Sequence, residues 1–337
     1  MDNGKTALVL GATGGIGGAM ARTLLARGWQ VRALTRNQDN VNATSSAHGA
    51  SRWIHGDAMQ RSDVIAAAHG ADLIVHAVNP PGYQRWAELV VPMMDNSIAA
   101  AKASGARILL PGTIYNYGPD AGHALSEASP QHPRTRKGAI RVEMEQHLQQ
   151  AAEDGVRILI VRAGDFFGPG SRNNWFSQGL IKPGRPVRAI TYPGKNGIGH
   201  QWSYLPDAAE SMMQLIEQGH RLERFATFHL DGHWDSDGTQ MVAAIARACG
   251  NAALPVRSFP WWLVKTAGPL VPLFREMQEM RYLWQQPLRM DNTRLLSVLQ
   301  SEPHTPLVQA VQETLRGLGC LPVVENTSPS KTAFNGR

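Results

Sequence analysis

The sequence predicts an α/β fold, in which a doubly wound parallel sheet is followed by a smaller, mostly helical C-terminal domain. Two observations lead to this prediction. Short apolar runs alternate with helical patterns through the first half of the chain, and strands joined by helices form right-handed crossovers and a parallel sheet. After Arg162 the alternation stops, glycine and proline become frequent between Gly164 and Gly199, and helical segments dominate from Pro255 onward.

Each predicted strand in the first half is a short apolar run, and each predicted helix repeats its apolar residues at a helical period. The first helix shows the period well, because Ile16, Met20 and Leu24 fall on one face. The predicted strands cover residues 6–10, 31–34, 52–54, 72–77, 107–110 and 157–161. The predicted helices of this half cover residues 15–27, 62–69, 86–104 and 138–154.

The segment after the sixth strand has a different pattern. We expect residues 164–199 to be mostly loop, because glycine and proline break regular structure. Met277, Met280 and Trp284 repeat at helical spacing and predict an amphipathic helix. The predicted elements are, in order, a helix at 206–218, a strand at 227–230, helices at 239–249 and 274–284, and a final helix that ends near Gly317.

Composition and charge argue against several classes of protein. The 337 residues are 43% hydrophobic and 18% charged, a balance typical of a globular protein with a sizeable core. Two cysteines, Cys249 and Cys320, have no metal-ligand spacing, so no metal site is expected. The net charge of +6 comes from scattered basic residues, which argues against nucleic-acid binding.

The sequence also bears on the location of the protein. No apolar run reaches the roughly 18 residues that a membrane span needs. The first predicted strand begins near Lys5 and leaves no room for an apolar targeting segment. Two cysteines without a disulfide framework suit a reducing compartment. We therefore expect a cytoplasmic protein without a membrane span.

The strongest motif is the turn Gly-Ala-Thr-Gly-Gly-Ile-Gly, between the first strand and the first helix. Gly11 permits a tight turn, Gly14 lets the backbone approach a pyrophosphate, and Gly17 allows the helix to pack closely on the strand. The helix N-terminus offers N–H groups and a positive dipole to the phosphates. The motif therefore predicts a Rossmann domain that binds a dinucleotide through Gly11, Thr13, Gly14, Gly15, Ile16 and Gly17.

The end of the second strand bears on the choice between NAD and NADP. An NAD site places a carboxylate about 20 residues after the glycine turn, where it accepts hydrogen bonds from the ribose hydroxyls. Arg36 stands at this distance instead. A guanidinium there favours NADP(H) over NAD(H), because it can form a two-pronged contact with a 2′-phosphate. The alternative is a solvated arginine at the end of a strand.

Asp57 and Ala58 follow the third strand. We expect Asp57 to accept a hydrogen bond from the adenine amino group, with Ala58 beside it. The alternative is that Asp57 caps the helix that is predicted to start at Ser62.

These motifs, together with later segments, resemble the extended branch of the short-chain dehydrogenase/reductases, which includes epimerases and dehydratases. Residues 72–77, Asp-Leu-Ile-Val-His-Ala, are similar to the family's fourth strand. Residues 162–170, Arg-Ala-Gly-Asp-Phe-Phe-Gly-Pro-Gly, resemble its Arg-Pro-x-x-x-x-Gly-Pro-Gly segment. Residues 202–208, Trp-Ser-Tyr-Leu-Pro-Asp-Ala, resemble its Val-x-Asp-x-Ala segment. The resemblance covers residues 5 to about 215.

The resemblance implies a division of the chain and further cofactor contacts. A Rossmann domain is expected over 1–165 and a substrate-binding region, partly interleaved with the sheet, over 166–321. Residues 322–337 are polar without a period and are expected to form a flexible tail. Ala77 and Val78 are expected to contact the cofactor.

The catalytic residues depart from the family's pattern. The family uses a serine or threonine after the fifth strand and a Tyr-x-x-x-Lys pair on the next helix, whose tyrosine exchanges a proton with the substrate oxygen as hydride moves at the nicotinamide. Thr113 stands at the serine/threonine position and is expected to donate a hydrogen bond to a substrate carbonyl. No tyrosine occurs between Tyr117 and Tyr192, so the usual pair is absent.

Lys137 falls at the position of the family's tyrosine and Arg141 at that of its lysine, on one face of the helix. In one interpretation Lys137 is the proton donor, with Arg141 beside it. In the other, the two residues hold ribose and phosphate, or lie on a solvated face, and catalysis is lost or moved. Tyr115 and Tyr117 are alternative proton donors.

Aromatic residues in segments near the expected pocket indicate an apolar or aromatic substrate. The alternative is that most of them belong to the core. They are Tyr83, Trp86, Phe166, Phe167, Trp175 and Trp202.

The function predicted from these features is that of an NAD(P)(H)-dependent oxidoreductase of the atypical extended short-chain type, acting on a small carbonyl or alcohol. Two alternatives stay open. One is a nucleotide-sugar-type epimerase or dehydratase, and the other is a non-catalytic, NADP-sensing regulatory protein. The expected partner is a small-molecule substrate. The resemblance also implies a possible homodimer, formed through the helices at 86–104 and 138–154.

Overall fold

The computed structural model describes residues 4–37, 52–80, 85–268 and 271–322. Its strands, in chain order, are β1 Thr6–Leu10, β2 Gln30–Thr35, β3 Arg52–His55, β4 Leu73–His76, β5 Arg107–Thr113, β6 Ala124–Leu125, β7 Ile158–Ala163, β8 Asp165–Phe167, β9 Ile190–Tyr192, β10 His200–Tyr204, β11 Phe225–His229, β12 His233–Asp235, β13 Val256–Ser258 and β14 Arg289–Met290.

The α-helices are α1 Gly15–Ala26, α2 Arg61–Ala67, α3 Trp86–Ser104, α4 Arg136–Glu153, α5 Leu205–Glu217, α6 Gln240–Ala248, α7 Trp261–Ala267, α8 Pro272–Glu279, α9 Thr293–Leu299 and α10 Leu307–Gly317. Short 3-10 turns occur at Ile114–Asn116, Pro119–Ala121, Gly219–Arg221 and Met280–Trp284, and a π-helical turn at Phe176–Leu180.

The central sheet has seven parallel strands in the order β11-β7-β5-β4-β1-β2-β3. The inner strands β1, β4, β5 and β7 are buried on both faces, as expected where helices cover both sides. Helices α1 and α5 pack together on one face, and α2, α3 and α4 on the other. The predicted doubly wound Rossmann sheet is confirmed, and its strand order reverses between β1 and β4.

The region that follows β7 contributes one more strand to the central sheet. This strand, β11, forms the edge of the sheet beside β7. Strands β8, β10 and β12 form a separate three-stranded sheet. Helices α6 and α10 pack on each other beside it, over an aromatic core that includes Phe167, Trp202 and Trp284. Within the described residues, no helix has the length and apolar content that a membrane crossing requires.

One local prediction is confirmed with short exceptions, and another needs correction. The segment predicted as mostly loop over 164–199 is mostly loop, but it also contains the π-helical turn and two short strands, β8 and β9, which pair with distant strands and therefore leave little local pattern. The helix predicted over 274–284 does not run through, because α8 ends at Glu279 and a 3-10 turn follows. That tighter turn accompanies the complete burial of Trp284. The predicted tail lies outside the described residues, except for Pro322.

Candidate active site

A cleft of about 610 Å³ opens at the carboxyl ends of the central strands, where the strand order reverses. Such a crevice is the usual ligand site of an open parallel sheet. The residues predicted to bind cofactor or to act in catalysis line it, with the exception of Gly17. They are Gly11, Thr13, Gly14, Gly15, Ile16, Arg36, Asp57, Ala58, Ala77, Val78, Thr113, Lys137 and Arg141.

The glycine turn is shaped by close backbone approaches. Gly11 has a φ of 87°, and a Cβ there would lie 2.5 Å from the carbonyl oxygen of Ala77. A Cβ on Gly17 would lie 2.2 Å from the carbonyl oxygen of Gly11. Gly17 therefore packs the helix on the turn and takes no part in lining the cleft, as its position in the motif predicts.

The N-terminus of α1 has the features of an anion site. Its N-cap, Gly14, has no side-chain cap, and the first turn contains no acidic residue. The first N–H groups of a helix have no partner within the helix, and together with the dipole they attract phosphate. A Cβ on Gly14 would meet little of the chain, since its nearest neighbour is the Gly11 carbonyl oxygen at 3.2 Å. These residues fit a dinucleotide diphosphate.

The end of the cleft near β2 and β3 contains Arg36, Asp57 and Ala58. Oδ1 of Asp57 accepts a hydrogen bond from the N–H of Met59 at 2.9 Å. The N-cap of α2 is Gln60, so the interpretation of Asp57 as the cap of this helix is wrong. The carbonyl oxygen of Ala58 accepts a hydrogen bond of 2.9 Å from the amide of Asn96 on α3, which fixes the loop.

The opposite end of the cleft contains the predicted catalytic residues. Thr113 is the last residue of β5, and its side chain caps the following turn by accepting a hydrogen bond from the N–H of Tyr115 at 3.4 Å. Its hydroxyl hydrogen is left available for another acceptor. The carbonyl oxygen of Thr113 accepts a hydrogen bond from the guanidinium of Arg162 at 3.3 Å.

Lys137 and Arg141 lie in the first turns of α4 and are only 4% and 6% exposed. The interpretation that places them on a solvated face is therefore wrong. The Lys137 ammonium lies 5.6 Å, and the Arg141 guanidinium carbon 5.0 Å, from the centre of the Trp86 ring. Arg141 donates a hydrogen bond of 2.8 Å to Oδ1 of Asn79. Both cations thus stack against an aromatic wall of the cleft.

Sequence reasoning missed His76, which ends β4 and lines the cleft. Its Nδ1 lies 2.8 Å from the hydroxyl of Ser97. Burial, followed by the nearby charge of Arg141, lowers the pKa of His76 to about 3, so the ring is neutral. The sequence around His76 gives no sign that its side chain lines the cleft, because the residues near the ring, Ser97 and Arg141, come from α3 and α4.

The remaining wall of the cleft is largely apolar. Of the aromatic residues predicted near it, Trp86, Phe166 and Trp175 line the cleft. Phe167 and Trp202 belong to the core, and Tyr83 lies outside the described residues. Met277 and Met280 complete this wall. They belong to the C-terminal segment whose helical spacing predicted an amphipathic helix.

Comparison with known proteins agrees with this geometry. The family model for NAD-dependent epimerases and dehydratases matches residues 7–228. The chain belongs to the NAD-dependent epimerase/dehydratase family. The resemblance proposed from the motifs is therefore confirmed, and so is the expectation of an NAD(P)-dependent enzyme at the level of the family.

Two sequence relatives are partial matches. Protein YeeZ of Escherichia coli (strain K12) is 28% identical over 186 residues, which are 53% of this chain and 65% of that protein. The 3-diazoavenalumate denitrifying reductase of Streptomyces sp is 29% identical over 180 residues, which are 49% of this chain and 57% of that protein. The matched part is thus less than two thirds of the length of either relative.

Solved structures share the fold over nearly the whole chain. A protein from Burkholderia cenocepacia J2315 has a TM-score of 0.76 at 20% identity, covering 94% of this chain and 99% of the other. UDP-glucose 4-epimerase from Bifidobacterium longum, solved with NAD+ and UDP, has a TM-score of 0.69 at 13% identity, covering 93% and 98%. At these identities the likeness concerns the fold.

Proposed function

We propose that this protein is an NADP(H)-dependent oxidoreductase that acts on a small carbonyl or alcohol. One observation carries the proposal. A single cleft joins an uncapped, glycine-lined helix N-terminus at one end to Thr113 and two buried cations at the other. The first end suits a dinucleotide diphosphate, and the second suits an oxygen that becomes negatively charged during reduction.

The proposed preference for NADP(H) rests on Arg36. This residue follows β2 directly and lines the cleft on the side of Asp57 and Ala58. A guanidinium there complements the charge of a 2′-phosphate, whereas an NAD site usually offers a carboxylate to the ribose hydroxyls.

NADPH, when bound, supplies the hydride. We propose that the Thr113 hydroxyl donates a hydrogen bond to the substrate oxygen. Lys137 is the cationic donor that stabilises the charge developing on that oxygen, and Arg141, held by Asn79, adds to the positive field. Burial strengthens both effects, because the local dielectric is low.

We propose that the substrate has an apolar or aromatic body. Phe166, Trp175, Met277 and Met280 supply a wall suited to such a group. Among the charged residues that line the cleft, the basic ones are Arg36, Lys137 and Arg141, which the cofactor and the reacting oxygen would engage. The name of the Streptomyces relative, 3-diazoavenalumate denitrifying reductase, is in keeping with a reductase.

The second candidate is an epimerase or dehydratase. The family match favours it, since the family is named for these reactions. Such an enzyme would oxidise and re-reduce its substrate on bound cofactor without net consumption of NADPH.

The test is a calorimetric titration with NADP, NADPH, NAD and NADH, followed by a screen of aromatic aldehydes and ketones with NADPH. We expect tighter binding of NADP(H) and net NADPH oxidation with some carbonyl compounds. Stronger binding of NAD(H) would overturn the proposed preference. Conversion of a nucleotide sugar without net cofactor oxidation would establish the second candidate instead.

We further propose that the protein is a cytoplasmic homodimer. Helices α3 and α4 pack side by side on one face of the sheet and offer a surface for the same pair of a second copy. Cys249 and Cys320 are free thiols, which suits a reducing compartment. Light scattering should give twice the mass of 36.8 kDa, and a monomer would contradict the dimer. Cell fractionation tests the location.

The division into a Rossmann domain at 1–165 and a substrate-binding region at 166–321 is also proposed. Hydrogen exchange with and without NADPH tests it, since a division of this kind predicts that the cofactor protects residues 1–165 more than residues 166–321.

A further inference from the structure

An acid and a base form a hydrogen-bonded pair at the substrate end of the cleft, apart from the groups assigned above. Asp165 begins β8 and lines the cleft, whereas His200 begins β10 and is 5% exposed. Nε2 of His200 lies 2.9 Å from Oδ2 of Asp165. Nδ1 of His200 lies 3.2 Å from the carbonyl oxygen of Leu283.

Both contacts can be hydrogen bonds at the same time only if the pair carries an additional proton. A carbonyl oxygen only accepts, so the contact with Leu283 is a hydrogen bond when Nδ1 of His200 carries a hydrogen. The contact between Nε2 and Oδ2 then needs one further proton. It lies either on His200, as an imidazolium beside a carboxylate, or on Asp165, as a carboxylic acid beside a neutral imidazole. In both descriptions the pair holds one proton more than an ionised aspartate and a neutral histidine.

The surroundings of the pair are aromatic and nearly closed to water. The His200 ring stacks on the Trp284 ring with centroids 3.8 Å apart and planes 7° apart, a contact that attracts a cationic ring. The side chains of His200 and Asp165 are 6% and 11% exposed. Exclusion of water strengthens the attraction between the partners.

Two other ionisable groups, Tyr282 and Asp235, lie near the pair. Burial, and then the carboxylates of Asp165 and Glu279, raise the pKa of the Tyr282 phenol, which therefore stays neutral. Asp235 lies opposite His200 in the β10–β12 ladder. Its carboxylate accepts three backbone N–H groups at the start of α6.

The sheet register relates Asp165 to Thr113, the proposed donor to the substrate oxygen. The register of β5 and β7 places Thr113 beside Ala163. Asp165 follows Ala163 by two residues and lines the same cleft. Thr113 and Asp165 thus line the same cleft, Thr113 from the end of β5 and Asp165 from the start of β8, which follows the neighbouring strand β7 after one residue.

We propose that Asp165 is a further catalytic residue, which delivers the proton to the substrate oxygen in place of the family's missing tyrosine. His200 is a positioning residue that keeps this proton on the pair. This inference rests on the proposed function. The proton shared between Nε2 of His200 and Oδ2 of Asp165 moves fully onto the Asp165 carboxyl. As hydride reaches the carbonyl carbon, this carboxyl O–H bond breaks and an O–H bond forms on the substrate oxygen. An aspartate beside a neutral imidazole remains, and solvent returns the proton.

The first test counts protons and needs no turnover. The full chain is labelled with 15N in its histidine rings and 13C in its aspartate carboxyls, and His200 is assigned with the variant His200→Asn. Near neutral pH we expect either a protonated His200 ring or a protonated Asp165 carboxyl, and a neutral His200 in Asp165→Asn. A neutral His200 beside an ionised Asp165 would overturn the shared proton.

The second test is kinetic and uses the carbonyl substrate found in the screen. Asp165→Asn should lower kcat by roughly 10²- to 10⁴-fold, the usual contribution of general acid catalysis, with unchanged NADPH affinity. The exposed Asp237→Asn is the matched control. His200→Asn should move the fall of kcat with pH to lower pH, which a merely structural role would not do.

The outcomes separate the two proposals. Full kcat and an unchanged pH profile in Asp165→Asn would overturn the catalytic role of Asp165. A wild-type protein that binds no nicotinamide cofactor would overturn the proposed function and that role together, whatever the NMR spectra show about the shared proton.

Discussion

Glu145 and Arg162 form a two-pronged ion pair that is almost completely removed from solvent, with side chains 8% and 1% exposed. Nη1 of Arg162 lies 2.7 Å from Oε1 of Glu145, which also accepts a hydrogen bond of 3.0 Å from Asn116. Glu145 is one turn beyond Arg141 in α4, and Arg162 precedes Asp165 along β7 and β8. The pair therefore holds α4, which carries Lys137 and Arg141, against β7, which leads to Asp165 in the cleft.

Glu145→Gln should destabilise the protein by about 3–5 kcal/mol, because it leaves the Arg162 charge buried without its partner. Urea unfolding gives the change in the free energy of unfolding. The control is Glu143→Gln, an exposed residue of the same helix, which should change it by less than about 0.5 kcal/mol. Equal losses in the two variants would contradict the role of the pair.

The parts of the fold that the sequence predicted are those with a local pattern. The strands and helices up to Ala163 follow runs and periods of a few residues, and the turn at 11–17 combines a motif with its expected context. Arg36 was identified because a fixed distance along the chain separates it from that turn, and Asp57 because it follows the third predicted strand.

The parts that the sequence did not predict depend on contacts between distant segments. Asp165 and His200 are 35 residues apart and meet only because β8 pairs with β10. Met280 reaches the cleft through a 3-10 turn whose shape depends on the packing of Trp284. The sequence also did not decide whether Lys137 is buried. The helical period places Lys137 beside Arg141 but does not show which face of the helix is turned to water.

Gly14→Ala should separate binding from folding. The new Cβ would meet only the Gly11 carbonyl oxygen, at 3.2 Å, but would occupy space that the diphosphate needs. We expect NADPH affinity to fall by more than about 10-fold, or about 1.4 kcal/mol, with nearly unchanged Tm. Gly11→Ala should instead lower the stability, by about 1–3 kcal/mol for its φ of 87° alone.

Calorimetric titration and thermal unfolding check both glycine variants. Gly219→Ala, whose Cβ would have only contacts of 3.9 Å, should change neither property. Normal NADPH binding by Gly14→Ala would contradict the proposed diphosphate site.

Arg36→Ala should weaken NADP(H) binding about 10- to 100-fold and leave NAD(H) binding nearly unchanged, because a hydrogen bond to a charged group contributes about 1.5–3 kcal/mol. The ratio of the two dissociation constants is the measurement. Arg52→Ala, at the exposed start of β3, removes the same charge far from the cleft and is the control. If the ratio of the NADP(H) and NAD(H) dissociation constants is unaltered in Arg36→Ala, Arg36 is a solvated arginine at the end of β2 and does not bind the 2′-phosphate.

Stability should fall below about pH 6.5. Burial, and then the charges of Arg141 and Arg162, lower the pKa of His76 and His229, respectively, to about 3 in the folded protein, against 6.5 for an unperturbed ring. Between these values the unfolded chain binds protons that the folded protein does not. The free energy of unfolding therefore decreases as the pH falls through this window, by up to about 1.4 kcal/mol per pH unit for each ring.

His229→Gln tests this dependence, since glutamine can replace both ring contacts, with Tyr117 and with the Leu125 carbonyl, but does not titrate. Urea unfolding at about pH 7 and about pH 5 should show a smaller loss than in the wild type. The exposed His220→Gln should show the wild-type loss. A loss in His229→Gln as large as that of the wild type would assign the pH dependence to other groups.

Lys137→Met should show whether Lys137 stabilises the developing oxyanion or holds the ribose or phosphate of the cofactor. If Lys137 stabilises the developing oxyanion, kcat should fall about 10²- to 10³-fold while NADPH affinity changes little, because the lost interaction forms mainly in the transition state. If Lys137 instead holds ribose or phosphate, NADPH affinity should fall and kcat at saturation should persist. Arg136→Gln, the exposed preceding residue of α4, controls for a general loss of positive charge. Methionine keeps the apolar contact with Trp86, so a change in either constant follows from the lost ammonium rather than from a cavity.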